Sequence, residues 1–378
     1  MSRQRTYLDC NATEPLRPEA REALLAALET AGNPSSVHAE GRAARALVED
    51  ARREVAALVG ADADDVYFTS GASEGNAWVL ASGWDTIVAA DIEHDSVLQA
   101  ADAAKSRRVR LPVGSDGVVR PEAVSAALQG AERGRILLAL QLANNETGVV
   151  QPVAEICSLA KTYGFSVLCD AVQAGGRIAI DMPRLGVDYL VLSAHKLGGP
   201  KGVGAVVAGP SAPSLSPLIP GGGQERRQRG GTENVAGIAG FGAAARAVRR
   251  DLSRGAGERM ARLRSGLEAG LLAITPDAVI VGANAAPRLP NTTCVALPGR
   301  RAEVLVAAFD LAGIAVSAGA ACSSGKVGRS RALDAMGLDG AVVEGAIRVS
   351  LGHATTEDDI AAFLAAWQSV APSRRRAA

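Results

Sequence analysis

Between about residue 60 and residue 210, short and nearly continuous apolar runs alternate with stretches whose apolar positions recur at helical spacing, the pattern of repeated βαβ units. The strands this predicts are 66–69, 86–90, 136–142, 166–169, 189–193 and 204–208. Runs without polar alternation imply a mostly parallel sheet covered on both faces. Pro18, Pro121 and Pro152 sit near predicted helix starts, and Gly130 and Gly164 follow predicted ends. After a helical stretch beginning near Asn234, well-separated strands at 278–281, 291–297, 314–316 and 346–350 alternate with helices such as 302–311, the texture of a smaller α+β unit. A last helix starts at Thr356, whose hydroxyl and Asp359 fit a capping box.

The length of 378 residues suits two domains in one chain. With 48% hydrophobic but only 3% aromatic residues, the cores are expected to be filled by Ala, Val, Leu and Gly. Forty basic residues balance forty acidic ones, so no global field favours nucleic acid or an anionic membrane. No apolar run approaches the ~20 residues that span a bilayer, and the chain start lacks the apolar core of a signal peptide; a cytoplasmic location is expected. Five cysteines without C-x-x-C spacing argue against a disulfide framework or a thiolate zinc site, leaving room for a working thiol. Neither G-x-G-x-x-G nor a P-loop occurs.

In open α/β sheets ligands bind beyond the carboxyl ends of the strands. The polar residues ending the apolar runs are Thr69 with Ser70, His94 a few residues past its strand, Asn144 and Asn145, Asp170, and Ser193 with His195 and Lys196. Only five of the forty basic residues are lysines, and Arg cannot form an imine, so Lys196 at an apolar strand end suits a Schiff base; an ion-paired Lys is the plain alternative. Asp170 ends an apolar run where a carboxylate needs a cation, either a pyridinium nitrogen or an Arg, unless it caps the next helix. The small residues of 70–76 suit a phosphate at a helix N-terminus or an ordinary capped turn. Cys322 lies in a run of small residues and is either an accessible nucleophile or an incidental loop thiol, whereas Cys157 and Cys169 read as core. Arg348, inside a strand pattern, needs an anion: a substrate carboxylate or a structural partner.

Together these residues resemble the cysteine desulfurases, pyridoxal-phosphate enzymes of the class V aminotransferase fold that serve iron-sulfur cluster assembly. The matches run nearly end to end: Tyr7-Leu8-Asp9, Asn11-Ala12-Thr13, Gly32-Asn33-Pro34-Ser35-Ser36-Val37-His38, Phe68-Thr69-Ser70-Gly71-Ala72-Ser73-Glu74, Asn144-Asn145-Glu146-Thr147-Gly148, Asp170-Ala171-Val172-Gln173, Ser193-Ala194-His195-Lys196, Gly198-Gly199-Pro200-Lys201-Gly202, Gly230-Gly231-Thr232 and Arg348-Val349-Ser350-Leu351-Gly352. The resemblance implies an α/β protein of PLP-transferase fold type I. Its large domain, 13–254, would hold a mainly parallel seven-stranded sheet covered by helices, and a smaller α+β domain of 1–12 and 255–378 would carry the Cys322 loop.

It further implies that Lys196 holds pyridoxal 5'-phosphate as an imine, Asp170 pairs with the ring nitrogen, His94 stacks on the ring and acts in catalysis, and Gln173 contacts the ring hydroxyl. Ala72, Ser73, Ser193 and His195 match phosphate-binding positions, and Thr232 one supplied by the second subunit of a homodimer. Asn145 and Arg348 match residues that orient the carboxylate of L-cysteine, and Cys322 the nucleophile that takes its sulfur as a persulfide, leaving alanine. No resident metal is implied; Cys322 is the thiol that would meet an iron-sulfur cluster during transfer to a scaffold or other acceptor.

Several positions depart from the family pattern: Cys10 where an aromatic is commoner, Glu14 where Thr is common, Ala320 for a Ser, and Lys326-Val327-Gly328-Arg329 in a loop whose spacing to Arg331-Ala332-Leu333 matches the long-loop group. The altered loop points to a dedicated acceptor such as a nitrogen-fixation-type scaffold. Rival readings on the same fold are an aminotransferase, a kynureninase-like lyase and a selenocysteine lyase; His94 and Cys322 argue against the first two, and the third shares these parts. A non-catalytic scaffold should have lost something, yet Lys196, Asp170, His94, Gln173 and Cys322 are all present.

Overall fold

The computed structural model describes residues 5–129, 134–285, 287–319 and 329–370. Among these, thirteen strands form three sheets. In chain order they are β1 (Thr6–Tyr7), β2 (Val66–Thr69), β3 (Thr86–Ala90), β4 (Arg107–Leu111), β5 (Ile136–Gln141), β6 (Ser166–Asp170), β7 (Tyr189–Ser193), β8 (Gly204–Ala208), β9 (Val279–Val281), β10 (Thr292–Ala296), β11 (Ile314–Ala315), β12 (Ser317–Ala318) and β13 (Ala346–Ser350).

The largest sheet has the order β2-β8-β7-β6-β5-β3-β4 and is parallel except at β8, which runs antiparallel to both neighbours. Strands β3, β5, β6 and β7 are buried along their whole length. Their alternate residues feed two separate cores: Val88, Leu138, Val167 and Leu190 on one face, Ile87, Leu137, Leu168 and Val191 on the other. Helices Ala39–Val59 and Val235–Ser253 cover the first face with Val48, Val55 and Phe241, and helices Ala72–Leu80 and Asp95–Ala103 cover the second with Trp78, Val97 and Leu98. The expected strand positions match to within a residue, but β4 was not anticipated. Its sequence RRVRL is largely exposed because an edge strand needs an apolar residue only where a helix covers it.

The second sheet is antiparallel, β12-β13-β10-β9, and the chain start joins it: β1 pairs with β11, and Asp9 bridges to Ser350. Leu8, Ile347, Val349, Phe309, Phe363 and Trp367 form a third core, with the Phe309 and Phe363 rings stacked 4.9 Å apart. Aromatics are scarce in this chain, and three of them are concentrated here, where a small sheet must bury enough area with few residues. The expected capping box is present: Thr356 N donates to Asp359 Oδ2 (2.9 Å) and Asp359 N to Thr356 Oγ1 (3.3 Å). No helix among the described residues is long and apolar enough to cross a membrane. Gly130 lies outside the described residues.

Strand order reverses between β5 and β3, because β4 lies outward of β3 whereas β6 and β7 follow on the far side of β5. The connections leaving their carboxyl ends therefore part in opposite directions and open a crevice. His94 follows β3 and Asn145 follows β5, so both sit at that opening.

Candidate active site

A cavity of about 550 Å³ lies there, lined by Ala72, Ser73, His94, Asn145, Asp170, Gln173, Ser193, His195 and Lys196. Nine of the twelve residues singled out from the sequence thus share one cavity. The turn after β2 is the first wall. Helix Ala72–Leu80 begins directly after Gly71, and no side chain among the described residues caps it, so the first-turn N–H groups are left for a ligand. Glu74 steadies the turn by accepting from Ser70 N (3.0 Å) and pairing with Arg229 (2.9 Å). Strand β8 passes beneath; a Cβ on Gly204 would fall 2.7 Å from the Gly71 backbone, so this position has no room for a side chain.

Asp170 ends β6 and is 8% exposed. Its Oδ1 accepts from Val172 N (3.0 Å) and its Oδ2 from Asn76 Nδ2 (2.9 Å). The same Asn76 nitrogen donates to Ser96 Oγ (3.0 Å), and Ser96 N donates to His94 Nδ1 (3.0 Å). Because Nδ1 accepts a backbone N–H, the ring proton belongs on Nε2. Behind Asp170 lies Glu93, whose carboxyl is raised well above the usual range by burial and by the Asp170 charge, although Gln141 N donates to it (2.8 Å). Among the described residues no Lys or Arg forms an ion pair with Asp170.

Lys196 follows β7 in a short turn, and its amine donates to the carbonyls of Asn11 and Ala12, the latter at 2.9 Å. His195 Nδ1 lies 3.2 Å from Thr13 Oγ1, and burial together with Lys196 and Lys201 lowers the ring to about 4. Gln173 Nε2 donates to the Asn11 carbonyl (3.1 Å). Asn11 is the hub of the second wall: its Nδ2 donates to the Asn145 carbonyl (3.1 Å) and Thr292 Oγ1 (2.9 Å), and its Oδ1 accepts from Asn291 (2.9 Å).

The family model described as Aminotransferase class-V matches residues 6–363. This chain belongs to the class-V aminotransferase family. It is 44% identical to a protein of Cereibacter sphaeroides named cysteine desulfurase, over 94% of this chain and 93% of that one. It is 37% identical to cysteine desulfurase IscS of Dictyoglomus turgidum, over 95% and 92%. A NifS-like protein from Rickettsia africae superposes with a TM-score of 0.90 at 34% identity, covering 97% of this chain and 99% of that one.

Class-V aminotransferases of this kind use pyridoxal 5'-phosphate, and the cavity fits that cofactor on two observations. A buried carboxylate without a cationic partner among the described residues faces it, as a protonated ring nitrogen requires, and an uncapped helix start faces it, as a phosphate requires.

Of the three other expected residues of this class-V member, two are described and do not line the cavity. Arg348, 1% exposed, pairs with Asp9 (2.8 Å) and donates to the Asn145 carbonyl (3.2 Å); of the two anions considered for it, the structure contains the structural one. Its Nε is buried with no hydrogen-bond partner among the described residues. Thr232 is exposed and away from this chain's cavity. Cys322 lies outside the described residues, as do Ala320 and Lys326-Val327-Gly328 of the altered loop.

Two departures from the family pattern meet each other. Cys10 and Glu14 are both buried, and a Cβ on Gly352 would sit 2.5 Å from Cys10 Sγ and 2.7 Å from Glu14 Oε1. Burial would raise Glu14, but Arg177 and two hydrogen bonds from His353, each 2.7 Å, bring it down to about 2; the Cys10 thiol is pushed up by burial and by the Glu14 charge. Sequence reasoning assigned no roles to Asn11, Asn76, Ser96 or Glu93. Asn76 was visible in the small-residue turn, four residues past Ala72 and hence on the same helix face, and Asn11 stood in the Asn11-Ala12-Thr13 match, whereas Ser96 and Glu93 had no positional signal.

Proposed function

We propose that the chain is a cysteine desulfurase that converts L-cysteine to L-alanine and receives the sulfur on Cys322 as a persulfide. The observation that carries the reading is the buried Asp170 carboxylate, without a cationic partner among the described residues, facing the cavity that also holds Lys196 and His94. The relatives' names favour desulfuration over selenocysteine cleavage or amino transfer.

Lys196 would hold the cofactor covalently, Asp170 its ring nitrogen, Gln173 its ring hydroxyl and His94 its ring face, with Ala72, Ser73, Ser193 and His195 around its phosphate. When bound, pyridoxal phosphate supplies an electron sink for the pair released at the substrate Cα. Asn76 and Val172 fix the Asp170 carboxylate through both oxygens, so its charge stays aimed at one point. Asn145 and Arg348 orient the substrate carboxylate, Arg348 through the guanidinium nitrogen that has no hydrogen-bond partner among the described residues. The amine of Lys196, placed by the Asn11 and Ala12 carbonyls, moves the proton at Cα. Cys322 thiolate then attacks the substrate sulfur: an S–S bond forms, the C–S bond breaks, and its electron pair stays with the substrate carbon, which takes up a proton to become alanine.

A homodimer in which Thr232 contacts the partner's phosphate accounts for that residue's exposure here. The small domain, 1–12 with 255–378, suits the core that Leu8 shares with the second sheet, and the large domain, 13–254, suits the two cores on the first sheet, one of which also takes in Cys294 and Leu333. Buried unbridged thiols at Cys10, Cys157, Cys169 and Cys294 suit the reducing cytoplasm, and the acceptor would be an iron-sulfur scaffold or another thiolation protein. The test adds L-cysteine and a reductant and measures alanine and sulfide together. Equal yields, lost in Cys322→Ala, are expected; alanine or keto-acid formation indifferent to that substitution would sink the reading.

A further inference from the structure

Glu146 has no part in the chemistry above, yet it is a buried carboxyl next to Asn145. Its backbone N–H donates to Asn144 Oδ1 (3.0 Å), which fixes the turn after β5. Its Oε2 accepts from Ser330 Oγ (2.6 Å), and the same hydroxyl accepts from Leu333 N (3.1 Å), capping helix Arg331–Ala335. That oxygen also lies against Gly319, where any Cβ would collide with it. Gly319 and Ser330 flank the part of the sequence that carries Cys322. Cys322 is three residues from Gly319, so their Cα atoms are at most about 11 Å apart whatever path the chain takes.

We propose that Glu146 is a positioning residue for sulfur transfer, holding Ser330 and the Gly319 backbone to the strand end that carries Asn145, and that transfer is faster when its carboxyl is neutral. The proposal rests on the desulfurase reading.

Burial raises the Glu146 carboxyl to about 7, although the Ser330 hydrogen bond and the charges of Arg348 and His94 act in the opposite direction. Other charged groups around it are already engaged. Arg329 is paired with Asp334 (2.8 Å), Arg331 with Asp95, and Arg348 with Asp9 (2.8 Å). Cys294 on β10 is a buried thiol whose acidity falls further with the Glu146 charge, and Glu93 is held up by burial. Above neutrality Glu146 therefore adds a negative charge against Gly319 and Ser330, the flanks of the Cys322 segment, and near Arg348, which must accept a substrate carboxylate. That charge competes with the substrate carboxylate for Arg348.

The experiment uses the pyridoxal-phosphate-loaded full chain with L-cysteine and a reductant, measuring alanine and sulfide between pH 6 and pH 9. Glu146→Gln keeps the shape and the Ser330 contact but cannot ionise. It is expected to match wild type at pH 6 and to exceed it about fivefold at pH 8.5, with the ratio turning near pH 7. Glu146→Ala, which removes the contact, is expected to be slow at every pH. Ser330→Ala removes a bond that lowers the carboxyl, so its profile should turn at higher pH than wild type, and it serves as the independent test if the Glu146 variants do not fold. A Gln-to-wild-type ratio flat across pH, a Gln variant as slow as Ala throughout, or an unmoved Ser330→Ala profile would overturn the proposal. Wild type that releases no matched alanine and sulfide would instead remove the desulfurase reading beneath it.

Discussion

The wall of the cavity made by β6, β7 and the turn after β2 differs from the wall made by the chain start and the second sheet in how its polar groups are held. On the first wall, Asp170, Ser193 and Lys196 stand where buried strands end, and Ala72 and Ser73 stand where a helix begins. Their placement follows from local elements. On the second, Asn11, Asn145, Asn291, Thr292 and Arg348 come from four segments at least 56 residues apart and are held by mutual hydrogen bonds. The first wall turns side chains carried by strand and helix ends toward the cavity, and the second is held together by hydrogen bonds among its own members. On the proposed function, one wall would do chemistry on a preformed scaffold and the other would close the scaffold.

If that contrast is right, substitutions on the first wall lower activity with the fold intact, and those on the second lower stability first. Lys196→Ala should show the largest effect, a loss of about 10³-fold or more in alanine formation and of the cofactor's bound absorbance band, with little change in thermal midpoint. Asp170→Asn is nearly isosteric, and its single amide oxygen can accept from only one of Asn76 and Val172. It should bind cofactor yet turn over about 10²- to 10³-fold more slowly, and a Tm drop in place of a kcat drop would erase the distinction between the walls.

Glu14→Gln tests the second wall. A carboxyl lowered from 4.5 to about 2 contributes about 3 kcal/mol of stability that is fully present above pH 4.5 and disappears as pH falls toward 2. The variant should therefore be less stable than wild type at pH 7, with the gap narrowing on acidification through that window; urea melts at several pH values read it directly. A gap independent of pH would mean that packing against Cys10 and Gly352, and not the ionised carboxylate, makes the difference.

Asn11→Ala leaves the Asn291 amide and Asn145 carbonyl short of a partner and should destabilise by about 1–3 kcal/mol, with a rise in KM through the displaced Asn145. An effect on kcat alone would place Asn11 with the chemistry. The smallest effect belongs to Thr356→Ala, remote from both walls, which loses a capping box for about 1 kcal/mol and should leave the pH–activity profile unchanged.

The same contrast explains what is legible in the sequence alone. Apolar periodicity located the strands of the large sheet nearly to the residue because each is buried on both faces, and it missed β4 because an edge strand with three arginines carries no such signal. Polar residues closing those strands formed a coherent list because ligands gather where strands end. The second wall had no comparable signal. Nothing in Asp9 or Glu14 as letters tells that they meet Arg348 and Arg177, since an ion pair between positions hundreds of residues apart depends on the closed fold.

By itself, then, the sequence determined the parallel sheet, the polar residues at its strand ends and the family, all of which depend on short-range pattern and on the order of motifs. Only the tertiary structure decided that Asp170 has no cationic partner among the described residues, that Arg348 pairs with Asp9, that Cys10 and Glu14 both pack against Gly352, and that Glu146 is buried between the flanks of the Cys322 segment. The reason is physical: burial and pairing are properties of a position in three dimensions, and the ionisation of a carboxyl depends on the water removed from it and on the charges folded against it.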